Sequence, residues 1–172
     1  MSKASPFSPK VANRRRTFHI VASRFNARYV DGLVNHVTQE LRCLAPDSTV
    51  LVHRVPGSFE IPVVAREVAI QNKTDAIIAC GVILQGETDH AQNLSRSVTD
   101  ALQQIAIEQG MPVINAVLTF ENENQARARC LENKINRGTE AARAAVEIAE
   151  VLSDVRARGQ GAAVSKSPRD NG

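Results

Sequence analysis

The chain has 172 residues, 43% of them hydrophobic and 3% aromatic, with a formal net charge of +3. That length suits one domain with a core of its own. No stretch approaches the roughly 20 apolar residues that span a bilayer, and the first residues lack the apolar segment of a secretory signal.

Cys43, Cys80 and Cys130 are odd in number and far apart, with no CxxC pair and no metal-ligand spacing. They are expected to be buried, reduced thiols in a cytoplasmic protein. The charge is unevenly placed. Residues 1–16 hold Lys3, Lys10, Arg14, Arg15 and Arg16 and no acid, and residues 156–172 are also basic, so the middle is acidic. The ends read as a disordered basic arm (1–16) and a disordered tail (157–172) around one domain, 17–156. Basic tails suit nucleic acid or another acidic surface. The chain has no RNA-binding signature, and so few aromatics leave little for base stacking, which argues against nucleic acid.

In chain order, residues 17–23 form a short apolar run, the pattern of a strand. Val30, Leu33, Val34, Val37 and Leu41 recur at helical spacing and predict a helix over about 28–43, broken by Pro46 and Asp47. A second strand over 49–55 meets the turn signal Pro56-Gly57. Residues 59–71 are helical, with Pro62 in the first turn, where its missing N–H costs little. Residues 75–84 are apolar on both faces, as in a strand inside a parallel sheet. Asp89 and Gln92 have capping-box spacing before a helix that Gly110 stops. A fourth strand is predicted over 112–119, a shorter helix near 122–133 and a last helix over about 138–155. Four β–α units and a closing helix predict a three-layer α/β/α sandwich: a four-stranded parallel sheet, flavodoxin-like, with helices on both faces.

In such a sheet the loops after the strands share one edge, where ligands bind. Those loops hold Arg24-Phe25-Asn26, then Pro56-Gly57-Ser58-Phe59-Glu60, then Gly86-Glu87-Thr88-Asp89-His90, then Glu121-Asn122. Of the four histidines only His90 lies there, at a helix start after a buried strand, placed for acid–base work. His19, His36 and His53 sit inside predicted elements and read as structural. Phe25, between Arg24 and Asn26, offers a ring to a planar ligand or packs on the next loop. Glu60 at a helix start is explained equally by the helix dipole or by ligand binding. GxGxxG and GxxxxGK[ST] are absent, so neither dinucleotide nor P-loop binding is indicated.

These loops, with Leu118-Thr119-Phe120-Glu121-Asn122, Gln125-Ala126, Arg137-Gly138 and Glu140-Ala141-Ala142, resemble lumazine synthases over about residues 17–155. The resemblance implies 6,7-dimethyl-8-ribityllumazine synthase activity without cofactor or metal. 5-Amino-6-(D-ribitylamino)uracil condenses with 3,4-dihydroxy-2-butanone 4-phosphate to the lumazine, phosphate and water, in riboflavin biosynthesis. Phe25 is then expected to stack on the pyrimidine, and Ser58, Phe59 and Glu60 to hold the ribityl chain. Val82, Ile83 and Leu84 would present backbone groups to the pyrimidine. Glu87, Thr88 and Arg129 would receive the phosphate, and His90 would move protons. The resemblance also implies homopentamers, in some members sixty-subunit capsids, with a site shared so that Asn115 and Arg129 come from a neighbour. Riboflavin synthase is the implied protein partner. The chain departs from the family where Gln85 replaces a basic residue and where Asn115 and Ala91 replace aromatics. A Gly-rich segment with Lys is replaced by residues 131–137. These changes bear on the second aromatic wall of the pyrimidine site. A non-catalytic lumazine- or flavin-binding homologue is the alternative.

Overall fold

The computed structural model describes residues 14–71, 73–86 and 89–164. Four strands, β1 (Thr17–Ser23), β2 (Thr49–Val55), β3 (Ala76–Leu84) and β4 (Val113–Phe120), form one sheet in the order β2-β1-β3-β4. All three pairings are parallel. The helices are α1 (Ala27–Leu44), α2 (Ile61–Ile70), α3 (His90–Gln109), α4 (Glu123–Cys130) and α5 (Arg137–Val164). This is the three-layer, flavodoxin-like sandwich that the alternating pattern predicts.

The sheet is buried on both faces because a strand has a period of two. Along β3, Ala76, Ile78, Cys80 and Val82 join a core with α1, α4 and α5. The alternate residues Ile77, Ala79 and Ile83 join a second core with α2 and α3. An unbroken apolar run therefore serves two cores at once. α1 contributes Val30, Leu33, Val37 and Leu41 from one face, and α5 answers with Ala142, Ala145, Val146 and Ala149. Gly110 ends α3 in the left-handed conformation, φ 57°, as its position predicted.

Several sequence expectations give way. Arg16, expected in the loose arm, is only 4% exposed. Its guanidinium donates to Asp75 Oδ1 (3.2 Å), to the Ala149 carbonyl (3.1 Å) and to Glu150, and Asp75 also accepts the Thr17 N–H (2.7 Å). A charge run read as a solvated arm thus ends in a cation that ties the start of β1 to α5. Residues 157–164, expected in the tail, continue α5. Ala157, Arg158 and Gln160 are good helix formers that a Gly-rich composition obscured. Asp89 precedes α3 without a side-chain cap, so the capping box is not formed. Cys80 and Cys130 are buried as expected, but Cys43 is exposed. Residues 59–60 belong to a 3₁₀ turn, Ser58–Glu60, ahead of α2. The rest of the arm, residues 1–13, and the tail beyond 164 lie outside the described residues.

Candidate functional site

After β1 the chain crosses to β2 on one side, whereas β3 leads to β4 on the other. The connections therefore leave the carboxyl ends of β1 and β3 in opposite directions, the arrangement that leaves a crevice between them. A cleft of about 630 Å³ occupies that place. Its residues come from the loops after β1, β2 and β3, from the end of β3 and from the start of α3.

The loop after β1 is pinned by backbone bonds. Arg24 N–H donates to the Val55 carbonyl (2.8 Å) and Phe25 N–H to the Pro56 carbonyl (3.1 Å). These hold Phe25 at the cleft with 72% of its surface exposed. The loop after β2 closes on itself. Glu60 Oε2 accepts the Gly57 N–H (2.8 Å) and fixes the 3₁₀ turn that carries Ser58 and Phe59. Ser58 is buried and Phe59 is 67% exposed. One bond leaves the carboxylate with further acceptor capacity. Val82, Ile83 and Leu84 form the floor, and His90, Ala91 and Leu94 of α3 form the far wall. Two exposed phenyl rings over an apolar floor, with a hydroxyl and a carboxylate in one turn beside them, suit a planar ligand with a polyhydroxy substituent. His90 is exposed at the rim. Its imidazole is free to meet a bound molecule from the helix side.

Of the predicted site residues, Phe25, Ser58, Phe59, Val82, Ile83, Leu84 and His90 line this one cleft. Glu60 stands in the same turn, with its carboxylate on the Gly57 N–H. Glu87 and Thr88 lie outside the described residues. Arg129 and Asn115 are elsewhere. Arg129 lines a separate cavity of about 560 Å³ with Phe120, Glu121 and Gln125, at the carboxyl end of β4. Asn115 is exposed on the α3 side of β4; it donates to Thr99 Oγ1 (3.1 Å) and accepts the Val117 N–H (2.9 Å). Tyr29, in the first turn of α1, donates to Glu123 Oε2 (2.9 Å) in the first turn of α4, which joins the Phe25 side of the molecule to the helix of Arg129. That bond raises the phenol above its ordinary pKa.

The sequence missed one contact in the cleft. Asn26 donates its side-chain amide to the Val82 carbonyl (2.8 Å), across 56 positions. No local pattern names this partner, because the two residues meet only through the sheet. Leu94, which the helical pattern marks as an ordinary core position, also lines the cleft, as does Ala91, noted in the sequence only as a departure from the family.

A parallel α/β sandwich with an aromatic-flanked cleft at its switch point, and one imidazole on the wall, defines a small-molecule protein of the flavodoxin-like class. The comparisons with known proteins narrow this. The family model for 6,7-dimethyl-8-ribityllumazine synthase matches residues 15–153. A 6,7-dimethyl-8-ribityllumazine synthase of Azoarcus sp. strain BH72 is 39% identical over 134 residues, 77% of this chain and 83% of the relative. One of Paraburkholderia phymatum is 41% identical over 133 residues, 77% and 75%. One of Polaromonas sp. strain JS666 is 36% identical over 147 residues, 85% and 93%. The chain belongs to the 6,7-dimethyl-8-ribityllumazine synthase family.

Proposed function

We propose that this chain condenses 5-amino-6-(D-ribitylamino)uracil with 3,4-dihydroxy-2-butanone 4-phosphate to 6,7-dimethyl-8-ribityllumazine. The observation that carries the reading is the cleft itself: Phe25 beside the floor of β3, the Ser58–Glu60 turn beside it, and His90 at the rim. Phe25 stacks on the pyrimidine, which is aligned by backbone groups of Val82, Ile83 and Leu84. Ser58, Phe59 and the Glu60 carboxylate take the ribityl hydroxyls. Amides and the Thr88 hydroxyl near the start of α3, with Glu87, receive the phosphate. The Arg129 guanidinium adds a two-pronged match to its oxygens.

In the reaction an amine of the uracil attacks the ketone carbonyl, water leaves, phosphate is expelled and a second condensation closes the ring. The condensations move protons at nitrogen and oxygen, the loss of phosphate takes one from the carbon beside the imine, and the His90 imidazole is the group at the cleft suited to carry them near neutral pH. Most of the acceleration comes from holding two reactants together rather than from any one side chain.

Within one chain Asn115 and Arg129 stand outside the His90 cleft. A site completed by a neighbouring subunit accounts for this, so the working unit is a homopentamer. Exposed apolar residues such as Leu51 and Val52 on the edge strand β2, and Ile107 on α3, support association. A light-scattering mass separates a pentamer from a sixty-subunit capsid, and a monomer overturns the shared site. Cytoplasmic location and riboflavin synthase as a partner follow from the same reading. Among the described residues no helix is long and apolar enough to cross a membrane.

The test is direct. Folded protein mixed with both substrates produces lumazine fluorescence faster than the spontaneous background. Folded protein without acceleration refutes the enzyme. The alternative, a lumazine- or flavin-binding homologue without turnover, is motivated by Asn115 and Gln85, which stand where the family resemblance implies an aromatic and a basic residue. Tight lumazine or riboflavin binding without acceleration selects it.

A further inference from the structure

We propose that Asn26 is a positioning residue of the cleft, whose side-chain amide locks the Phe25 loop to the end of β3. The role in substrate affinity rests on the function proposed above, whereas the lock itself does not.

Three observations converge on this residue. Asn26 is the one non-glycine residue with positive φ among the described residues, at φ 55° and ψ 41°. Such a conformation is costly for most side chains and tolerated by Asn and Asp. It also sits at the N-cap of α1, where Asn ordinarily accepts a helix N–H, yet it makes no side-chain cap bond. Instead its amide donates to the Val82 carbonyl at 2.8 Å. Helix capping therefore does not explain the residue.

The sheet does. The β1–β3 register ends at Ala22–Cys80. Val82 lies two positions further along β3, past the point where β1 turns away. Its carbonyl takes a side chain in place of the departed strand. The Asn26 amide thus continues the ladder by one rung across the mouth of the crevice. Glycine would adopt the backbone but has no amide. Aspartate tolerates the backbone but offers an acceptor to an acceptor. Asparagine alone meets both demands.

The consequence falls on Phe25. Its ring is largely exposed, so packing does not hold it. Its position comes from the backbone, through the Phe25 N–H bond to Pro56 on one side and the Asn26 lock on the other. Losing the lock lets the loop move away from the β3 floor, which widens the slot for a planar ring.

The experiment compares wild type, Asn26→Gly and Asn26→Asp in the full chain. Asn26→Gly keeps the positive φ and removes the amide, so its thermal midpoint falls by only the roughly 2–4 °C that one hydrogen bond is worth. The KM for the uracil substrate rises roughly three- to tenfold, the worth of one neutral hydrogen bond. The KM for the butanone phosphate and kcat hold, because His90 stands on α3. Asn26→Asp gives at least the same rise in KM. Hydrogen–deuterium exchange without substrate is faster in both variants over residues 24–29 and 82–86. Wild-type KM and wild-type exchange in Asn26→Gly overturn the proposal. So does a lower midpoint with unchanged KM, which makes Asn26 a fold residue only. If wild type itself gives no turnover, the catalytic reading fails and the exchange comparison alone decides the lock.

Discussion

Alanine at position 81 adds one methyl group behind the cleft floor. Gly81 has no positive φ, so its backbone suits any L residue and the issue is space. A Cβ there stands 2.7 Å from Ser58 Oγ, 3.1 Å from Val117 Cγ1 and 3.3 Å from Ile61 Cδ1. The first distance is a clash, and the other two are tight contacts with branched side chains of a packed core. Ser58 is buried and cannot swing freely. Overpacking of this kind costs about 1–3 kcal/mol. For a chain of this size the thermal midpoint of Gly81→Ala falls by roughly 3–10 °C. Ser58 is also pushed toward the cleft, so the KM for the ribityl-bearing substrate rises. Adding Ser58→Gly removes the worst contact and leaves the two tight ones. Part of the lost stability then returns, and the double-mutant cycle shows coupling. The assay is thermal unfolding by circular dichroism at one protein concentration, since assembly shifts the midpoint by mass action. A wild-type midpoint for Gly81→Ala, or losses that merely add in the double variant, refutes the reasoning that Gly81 is kept to seat Ser58.

Three further expectations follow from named groups. His90→Ala lowers the rate by about 10²- to 10⁴-fold in the fluorescence assay while the thermal midpoint holds, because the side chain is exposed; a near-wild-type rate removes His90 from proton transfer. Cys43 reacts with a thiol reagent in the folded chain, whereas Cys80 and Cys130 react only after denaturation, since burial pushes both thiols up to about 12; three reactive thiols in native protein contradict this. The third concerns His19 Nδ1 and His53 Nε2, which are 2.9 Å apart with ring centroids at 5.0 Å, so the imidazoles meet edge to edge through one N–H. Burial, then the neighbouring His53, lowers the His19 pKa below 6.5. The unfolded chain therefore binds the extra proton first as pH falls. Stability present above pH 6.5 declines below it, by at most about 1.4 kcal/mol per pH unit for this group. Urea unfolding at pH 8 and pH 5 shows a smaller difference for His53→Gln than for wild type; equal differences show that the pair is not coupled.

Much of the cleft was legible because its parts are local signals. Phe25 between polar neighbours, the Pro56-Gly57 turn before Ser58–Glu60, and His90 after an apolar strand each announce a loop at a strand's carboxyl end. A parallel sheet then gathers such loops at one edge. The signals misled where a local motif has a second use. Asp89 looked like half of a capping box, and its side chain does not cap α3. Asn115 and Arg129 were legible as residue types, but no local pattern says whether their own cleft receives them.

The sequence alone determined the order of strands and helices and the two-sided burial of β3. Both follow from periods of two and 3.6 residues written into neighbouring positions. Only the tertiary structure decided the spatial order β2-β1-β3-β4, which sends the connections after β1 and β3 in opposite directions around the crevice. It also decided the burial of Arg16 against α5, the reach of Asn26 to Val82, and the distance of Arg129 from His90's cleft. Those depend on which distant segments become neighbours, and that choice is made by packing two faces of one sheet at once rather than by any stretch of chain read alone.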